Sequence, residues 1–276
     1  MRTRSLPRPV RCPLRFPAED ARQRLAERLA AAGCVAGDEE ADELVAAAGG
    51  DATRLEALVS RRLAGEPLAW VTGEISFFGT RVLVHPGVYV PRRQSELLVA
   101  RAVALLPDEG TAVDLCTGTG ALAAVLRARR PGARVLATDI DPLACRCAEA
   151  NGVEVRCGDL AAPLLGDLSG AVDIVIAVPP YVPSRAIEFL PRDAREHEPR
   201  RALDGGPAGT DVLVALIVQA AVLLRPSGSL LVELGGDQAT ELAPVLRASD
   251  LRLEEVLEDE EGDARGIVAR RMGAGG

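Results

Sequence analysis

Apolar residues recur at helical spacing near the start of the chain. Leu25, Leu29 and Ala32 lie four and three apart with Arg and Glu between them, and Gly33 ends the pattern, which predicts a helix over 21–32. Residues 39–48 and 53–63 repeat it on either side of Gly49-Gly50, and Gly65-Glu66-Pro67 closes a small helical bundle. The period then changes. Ile75, Phe77, Val82, Val84, Val88 and Val90 alternate around Gly79-Thr80 and Pro86-Gly87, which predicts a β-hairpin. Ser95 is placed to cap a helix running to Leu106.

From residue 111 onward strands and helices alternate. Strands are expected at 111–116, 134–138, 153–157, 172–177 and 229–234. Helices are expected up to Arg130, over 142–150, over 211–224 and over 238–248, with two final strands after them. Residues 178–207, rich in Pro, Arg and Glu, read as a long loop. The alternation predicts an α/β, Rossmann-like parallel sheet covered on both faces, with ligands beyond the carboxyl ends of its strands. The expected division is a helical domain over 1–74, a hairpin linker over 75–92 and a sheet domain over 93–276.

Composition narrows the classes. The chain has 276 residues, 48% of them hydrophobic, enough for a sizeable core. Its net charge of -8 argues against a polynucleotide substrate. All the basic residues are Arg; those at 2, 4, 8, 11 and 15 precede the first acid and read as a solvated tail. The six cysteines form no C-x-x-C pair, and with only two histidines no metal site is expected. Reduced thiols in a cytoplasmic protein follow from that reading. No apolar run is long enough to span a membrane, and Pro and Arg interrupt the basic start before any secretory signal could form.

The chemistry gathers at strand ends. The first strand of the sheet runs into Asp114-Leu115-Cys116-Thr117-Gly118-Thr119-Gly120-Ala121, where glycines let the backbone approach a ligand. Asp139 ends the next strand about 20 residues on, placed to accept the two hydroxyls of a ribose. Gly158-Asp159-Leu160 follows the third strand, where an adenine edge would sit. Gly118, Gly120 and Ala123 also fit a dinucleotide fingerprint. Asp114 speaks against that alternative, because a carboxylate suits a cationic sulfonium ligand and repels a pyrophosphate. The fourth strand ends in Val178-Pro179-Pro180-Tyr181, a rigid turn with free carbonyls and two missing N–H donors.

Several stretches, taken together, resemble the HemK/PrmC family of protein-glutamine N5-methyltransferases that act on peptide-chain release factors. They are Pro67-Leu68-Ala69-Trp70 with Gly73-Glu74, Phe77-Phe78-Gly79, Pro86-Gly87-Val88 with Pro91-Arg92, Ser95-Glu96-Leu97, the loop from Asp114 to Ala121, Pro179-Pro180-Tyr181, Glu198-Pro199-Arg200 with Ala202-Leu203, and Glu233-Leu234-Gly235. The resemblance implies a class I methyltransferase sheet and S-adenosyl-L-methionine as cofactor. It implies that Asp114, Cys116, Thr117, Gly118, Thr119, Gly120, Asp139, Ile140, Asp159, Leu160 and Val178 hold that cofactor. Val178, Pro179, Pro180 and Tyr181 would hold the methyl acceptor, and Arg92, Arg93 and Glu96 would gate the site. The helical start would serve recognition of a protein substrate.

One departure matters. The family pattern is Asn-Pro-Pro-Tyr, and this chain has Val178 where the Asn stands. The Asn oxygen accepts from the substrate amide; Val has no acceptor, which would leave a buried donor unpaired at about 1–3 kcal/mol. Three readings follow: a protein-glutamine methyltransferase that replaces the missing oxygen, a methyltransferase retuned to an amine, hydroxyl or carboxylate of a small molecule or peptide, and a non-catalytic cofactor-binding protein. His197 could act as a general base, but reads better as a loop residue.

Overall fold

The computed structural model describes residues 19–273; the arginine-rich start and Cys12 lie outside them. The chain divides into two compact units, the first ending at Thr72 and the second beginning at Gly73.

In the first unit α1 (Glu19–Ala31), α2 (Gly37–Ala48) and α3 (Ala52–Leu63) are followed by a short α4 (Leu68–Thr72). Leu29, Leu44, Ala41 and Val59 form its core. Gly49 ends α2 in the left-handed conformation, and Asp51 caps α3 by accepting from the Thr53 and Arg54 amides. Arg62 pairs bidentately with Glu40 at 2.6 and 2.9 Å. Helix α4 was not expected, since Pro67 read as a terminator. The proline carbonyl instead opens the helix, accepting from Trp70 and Val71.

The second unit starts with the expected hairpin, β1 (Glu74–Phe77) against β2 (Thr80–Leu83). Phe78 and Gly79 both have positive φ, as a tight two-residue turn requires. Phe77 and Val82 are buried in this unit's core, so the hairpin belongs with the sheet domain. Val84, Val88 and Val90 are buried too, but lie in the loop that follows. Then come α5 (Ser95–Leu105), β3 (Thr111–Leu115), α6 (Ala121–Arg129), β4 (Arg134–Asp139), α7 (Pro142–Ala150), β5 (Glu154–Cys157), β6 (Val172–Ala177), α8 (Arg192–His197), α9 (Asp211–Leu223), β7 (Leu224–Glu233), α10 (Gln238–Glu241), α11 (Ala243–Ala248), β8 (Leu251–Glu258) and β9 (Ala264–Arg271).

The sheet has seven strands in the order β5-β4-β3-β6-β7-β9-β8. The first five pair in parallel; β9 runs antiparallel to both β7 and β8. The sheet is therefore mixed rather than wholly parallel. Strand alternation splits the core in two. Val113, Leu115, Val175 and Ala177 pack on one face, and Ala112, Ile174 and Ile176 on the other. Asp114 shares a face with Ala112, the face that α6 covers.

Other local readings are corrected. The 178–207 loop holds α8 and two 3-10 turns, Ser184–Phe189 and Arg200–Ala202. The helix expected over 238–248 breaks into α10 and α11 because Pro244 has no N–H to continue the ladder. Ser95 does not cap α5; its hydroxyl donates to Glu233. The cysteines are not all free: Cys145 is bonded to Cys157, because α7 packs back on β5 and brings their Cα atoms to 6.0 Å.

Asn151, just past α7, does the work of a backbone segment. Its Oδ1 accepts from the Leu83 amide at 2.8 Å, and its Nδ2 donates to the Leu83 and Thr119 carbonyls at 2.8 and 2.9 Å. One side chain thus joins the hairpin to the glycine loop. Asn151→Ala orphans these groups together and is expected to lower stability by about 2–4 kcal/mol in chemical denaturation. A loss below about 0.5 kcal/mol would mean that water replaces the side chain at no cost.

Candidate active site

The site grows from the ends of β3 and β4. Asp114, 1% exposed, accepts from Thr117 Oγ1 at 2.6 Å and from the Ala123 amide at 3.2 Å, which folds the loop back over the strand. Thr117 N reaches the Thr138 carbonyl at 3.0 Å, one step beyond the β3–β4 ladder. Asp139 then divides its oxygens: Oδ2 accepts from Gly118 N at 2.8 Å and Oδ1 from Asp141 N at 2.9 Å. Each oxygen keeps a further lone pair.

Left-handed backbone makes this path possible. Gly118 and Gly120 have φ of 56° and 78°, and so, without the excuse of glycine, do Cys116 at 57° and Leu160 at 45°. Such strain on non-glycine residues gathers at functional sites. Gly120 starts α6, and a Cβ there would meet the Ala148 Cβ at 2.9 Å, so its role is close packing.

Asp114, Cys116, Thr117, Gly118, Thr119, Asp139, Ile140, Asp159, Leu160 and Val178 line one cavity of about 340 Å³. That is the size of a small-molecule site. Gly120 is not on its wall. Of the acceptor turn, Val178 and Pro180 line the cavity, while Pro179 is buried and Tyr181 points its hydroxyl away, to Glu233 and Gln94. Tyr89 and Arg201 also line the wall. The sequence reading missed both, although Tyr89 follows the Pro86-Gly87-Val88 stretch it had marked.

The expected gate is not one cluster. Arg92 pairs with the buried Glu198 at 2.7 Å and stacks 5.0 Å from the Tyr89 ring centre. Glu96 instead accepts from Phe78 N at 2.8 Å and pins the hairpin turn. His197 closes α8 and is not on the cavity wall.

The donor set fits S-adenosylmethionine. Asp114, Asp139 and Asp159 line the cavity, three acids that suit a cation and a diol. Thr119 Oγ1 is buried on the same wall with no partner among the described residues, ready to pair with a ligand's polar group. Burial pushes the Asp114 carboxyl up to about 7, with the Thr117 hydroxyl and the Ala123 amide opposing the shift. Burial likewise raises Asp139, against the backbone amides of Asp141 and Gly118. The Cys116 thiol is raised by burial and stays protonated.

Sheet order, glycine loop and paired acids define the class: an S-adenosylmethionine-dependent methyltransferase with a Rossmann-like sheet. Residues 79–192 match the family model for the methyltransferase small domain. A release factor glutamine methyltransferase of Moorella thermoacetica is 41% identical over 241 residues, covering 83% of each chain. Another, of Bradyrhizobium diazoefficiens, is 36% identical over 232 residues, covering 80% of this chain and 78% of that one. The chain belongs to the release factor glutamine methyltransferase family. Among solved structures, a ribosomal protein L11 methylase of Lactobacillus delbrueckii subsp. bulgaricus is similar at 20% identity and a TM-score of 0.48, covering 69% of this chain and 84% of that one. Among the described residues no helix is long and apolar enough to cross a membrane, and no group of three His, Cys, Asp or Glu could hold a metal ion.

The Asp114 shift sets a pH dependence. A cationic ligand favours the carboxylate, while the free protein holds a proton there below about pH 7. Affinity for S-adenosylmethionine is therefore expected to fall as pH drops from about 8 to about 6, by up to about tenfold per unit below the pKa, and to level off above it. Asp114→Asn should flatten the profile. Titration calorimetry across that range tests this; a wild-type affinity that ignores pH would remove Asp114 from charge recognition.

Proposed function

We propose that this chain transfers the methyl group of S-adenosylmethionine to the side-chain amide nitrogen of a glutamine in a release factor, in the cytoplasm where translation runs. The observation that carries the proposal is the single cavity that holds both the acid-bearing loop and the start of the Pro-Pro-Tyr turn. When bound, S-adenosylmethionine supplies an electrophilic methyl group on a sulfonium.

The chain's own residues do the positioning. Asp139 keeps lone pairs for the ribose hydroxyls after its two backbone bonds. The Asp114 carboxylate beneath the loop favours the cationic form of the ligand. Ile140 and Leu160 offer apolar surface for a base. On the acceptor side Pro179 and Pro180 carry no N–H, so the turn offers no donor that competes with the two N–H donors of an incoming amide. Holding a weak nucleophile with its lone pair aimed at the methyl group is a large rate term. Transfer would leave the C–S electron pair on sulfur as a neutral thioether, and water would take the amide proton that the methyl group replaces.

A second reading has one observation in its favour. Val178 stands on the cavity wall with no hydrogen-bonding group, and an amine, hydroxyl or carboxylate needs fewer acceptors than a primary amide does. Incubating the protein with S-adenosylmethionine and a release factor, followed by peptide mass spectrometry, separates the two. The mass gain of one methyl group on a single glutamine is expected. An unmodified release factor beside a methylated small metabolite would replace the first reading with the second.

A further inference from the structure

Two walls of the cavity are tied together by sulfur. Cys157 ends β5, the strand at the border of the sheet, and stands opposite Asp139 in the β4–β5 register. Gly158 follows it and donates to the Asp139 carbonyl at 2.9 Å, and Asp159 and Leu160 then line the cavity. Cys145 lies on α7, one residue past Ala144, which also lines the cavity. Its Sγ sits 3.3 Å from the same Asp139 carbonyl oxygen. The bridge between the two cysteines therefore crosses behind the acid assigned to the ribose.

The other ties of this wall lead elsewhere. The Thr138 hydroxyl donates to the Leu160 carbonyl at 2.7 Å, and Gln219 accepts from the Ala161 amide at 3.0 Å. These fix residues 160–161 to β4 and α9, whereas the covalent tie of residue 157 to α7 is the sulfur bridge. The two sulfurs also differ in access. Cys145 is 2% exposed, and Cys157 is exposed on an edge strand. A small thiol in solution therefore meets the bridge at Cys157. In a compartment that keeps thiols reduced, a bridge open to exchange forms and breaks with conditions.

We propose that Cys145 and Cys157 form a reversible redox site that sets the affinity of the cavity for S-adenosylmethionine, tight with the bridge closed and weaker with it open. The proposal rests on the cofactor reading above and is independent of which acceptor is methylated. Closing takes one small disulfide of the glutathione type. The Cys157 thiolate attacks it and displaces one half as a thiolate, and Cys145 then attacks the Cys157 sulfur and displaces the other half. The two protein thiols are oxidised to the bridge, and the small disulfide is reduced to two thiols that take up their protons. Opening is the reverse, and leaves a Cys145 thiol that donates to the Asp139 carbonyl. With the bridge open, the cofactor must itself order a wall that the closed form holds ready, and that ordering costs affinity.

The test is calorimetry with S-adenosylmethionine in buffers of oxidised or reduced glutathione, on wild type, Cys157→Ser and Cys145→Ala. Peptide mapping by mass spectrometry, without added reductant, reports the bridge. Wild type is expected to yield the linked peptides in oxidised buffer and to bind about 3- to 10-fold more tightly there than in reduced buffer. Both variants should bind like reduced wild type in either buffer. A bridge that forms and leaves affinity unchanged would overturn the proposal, as would a glutathione adduct at Cys157 with no bridge. A redox effect that persists in Cys157→Ser would also overturn it, because another thiol, such as Cys116 on the cavity wall, would then be responsible. Wild type that binds no S-adenosylmethionine in either buffer would reject the cofactor reading itself, and this inference with it.

Discussion

Two backbone amides on one carboxylate hold the cofactor side of this protein together. Asp139 receives Gly118 N on one oxygen and Asp141 N on the other, and so ties the loop after β3 to the turn after β4. Parallel pairing makes the bridge possible, because it brings Leu115 opposite Thr138 and lets both chains leave the sheet on the same side. Asp114 repeats the device one layer deeper, with Thr117 and Ala123 as its donors. Each acid is raised by its own burial, and each is held back by the donors around it. The same desolvation that makes these buried carboxylates costly by themselves makes them strong partners for a cation.

The acceptor side is fixed by opposite means. Its prolines are stiff from within, and glycines clasp it from without. A Cβ on Gly205 would lie 2.8 Å from the Pro180 carbonyl oxygen, and one on Gly209 2.3 Å from that of Tyr181. Only backbone without a side chain can approach so closely. Gln238 completes the clasp, donating to the Tyr181 and Gly209 carbonyls and accepting from Gly235 N. The turn is thus held rigidly whatever residue opens it, which is why Val178 can replace an amide-bearing residue without disturbing the fold.

Much of this was legible in the residue pattern. Alternation placed β3, β4 and β6, and the helical spacing of Leu25, Leu29 and Ala32 placed α1, since both periods are local properties of the chain. The glycine loop and Asp139 were readable because their spacing within one βαβ unit is short. What escaped was long-range. Ser95 looked like a helix cap because its neighbours are helical; its partner Glu233 lies 138 positions away. Asn151 finds Leu83 across 68 positions, and Gln94 finds Tyr181 across 87. Cys145 and Cys157 are only 12 apart, yet their pairing depends on how α7 folds back, which no periodicity encodes. Side-chain partnerships of this kind exist only once the sheet has formed.

The outer strands of the sheet have a consequence for how these molecules meet one another. β8 lies at one border, with Arg252, Glu254, Glu255 and Glu258 along its length and two breaks in its register with β9. β5 lies at the other, four residues long, with Glu154 and Arg156 among them. An open border offers its unpaired peptide groups as a template for a neighbour's strand, and charge, brevity and bulges all spoil that template. Molecules of this protein should therefore stay separate in crowded solution, at least as far as ribbon-to-ribbon stacking is concerned, and an apolar substitution at Glu254 is where that restraint would first be lost.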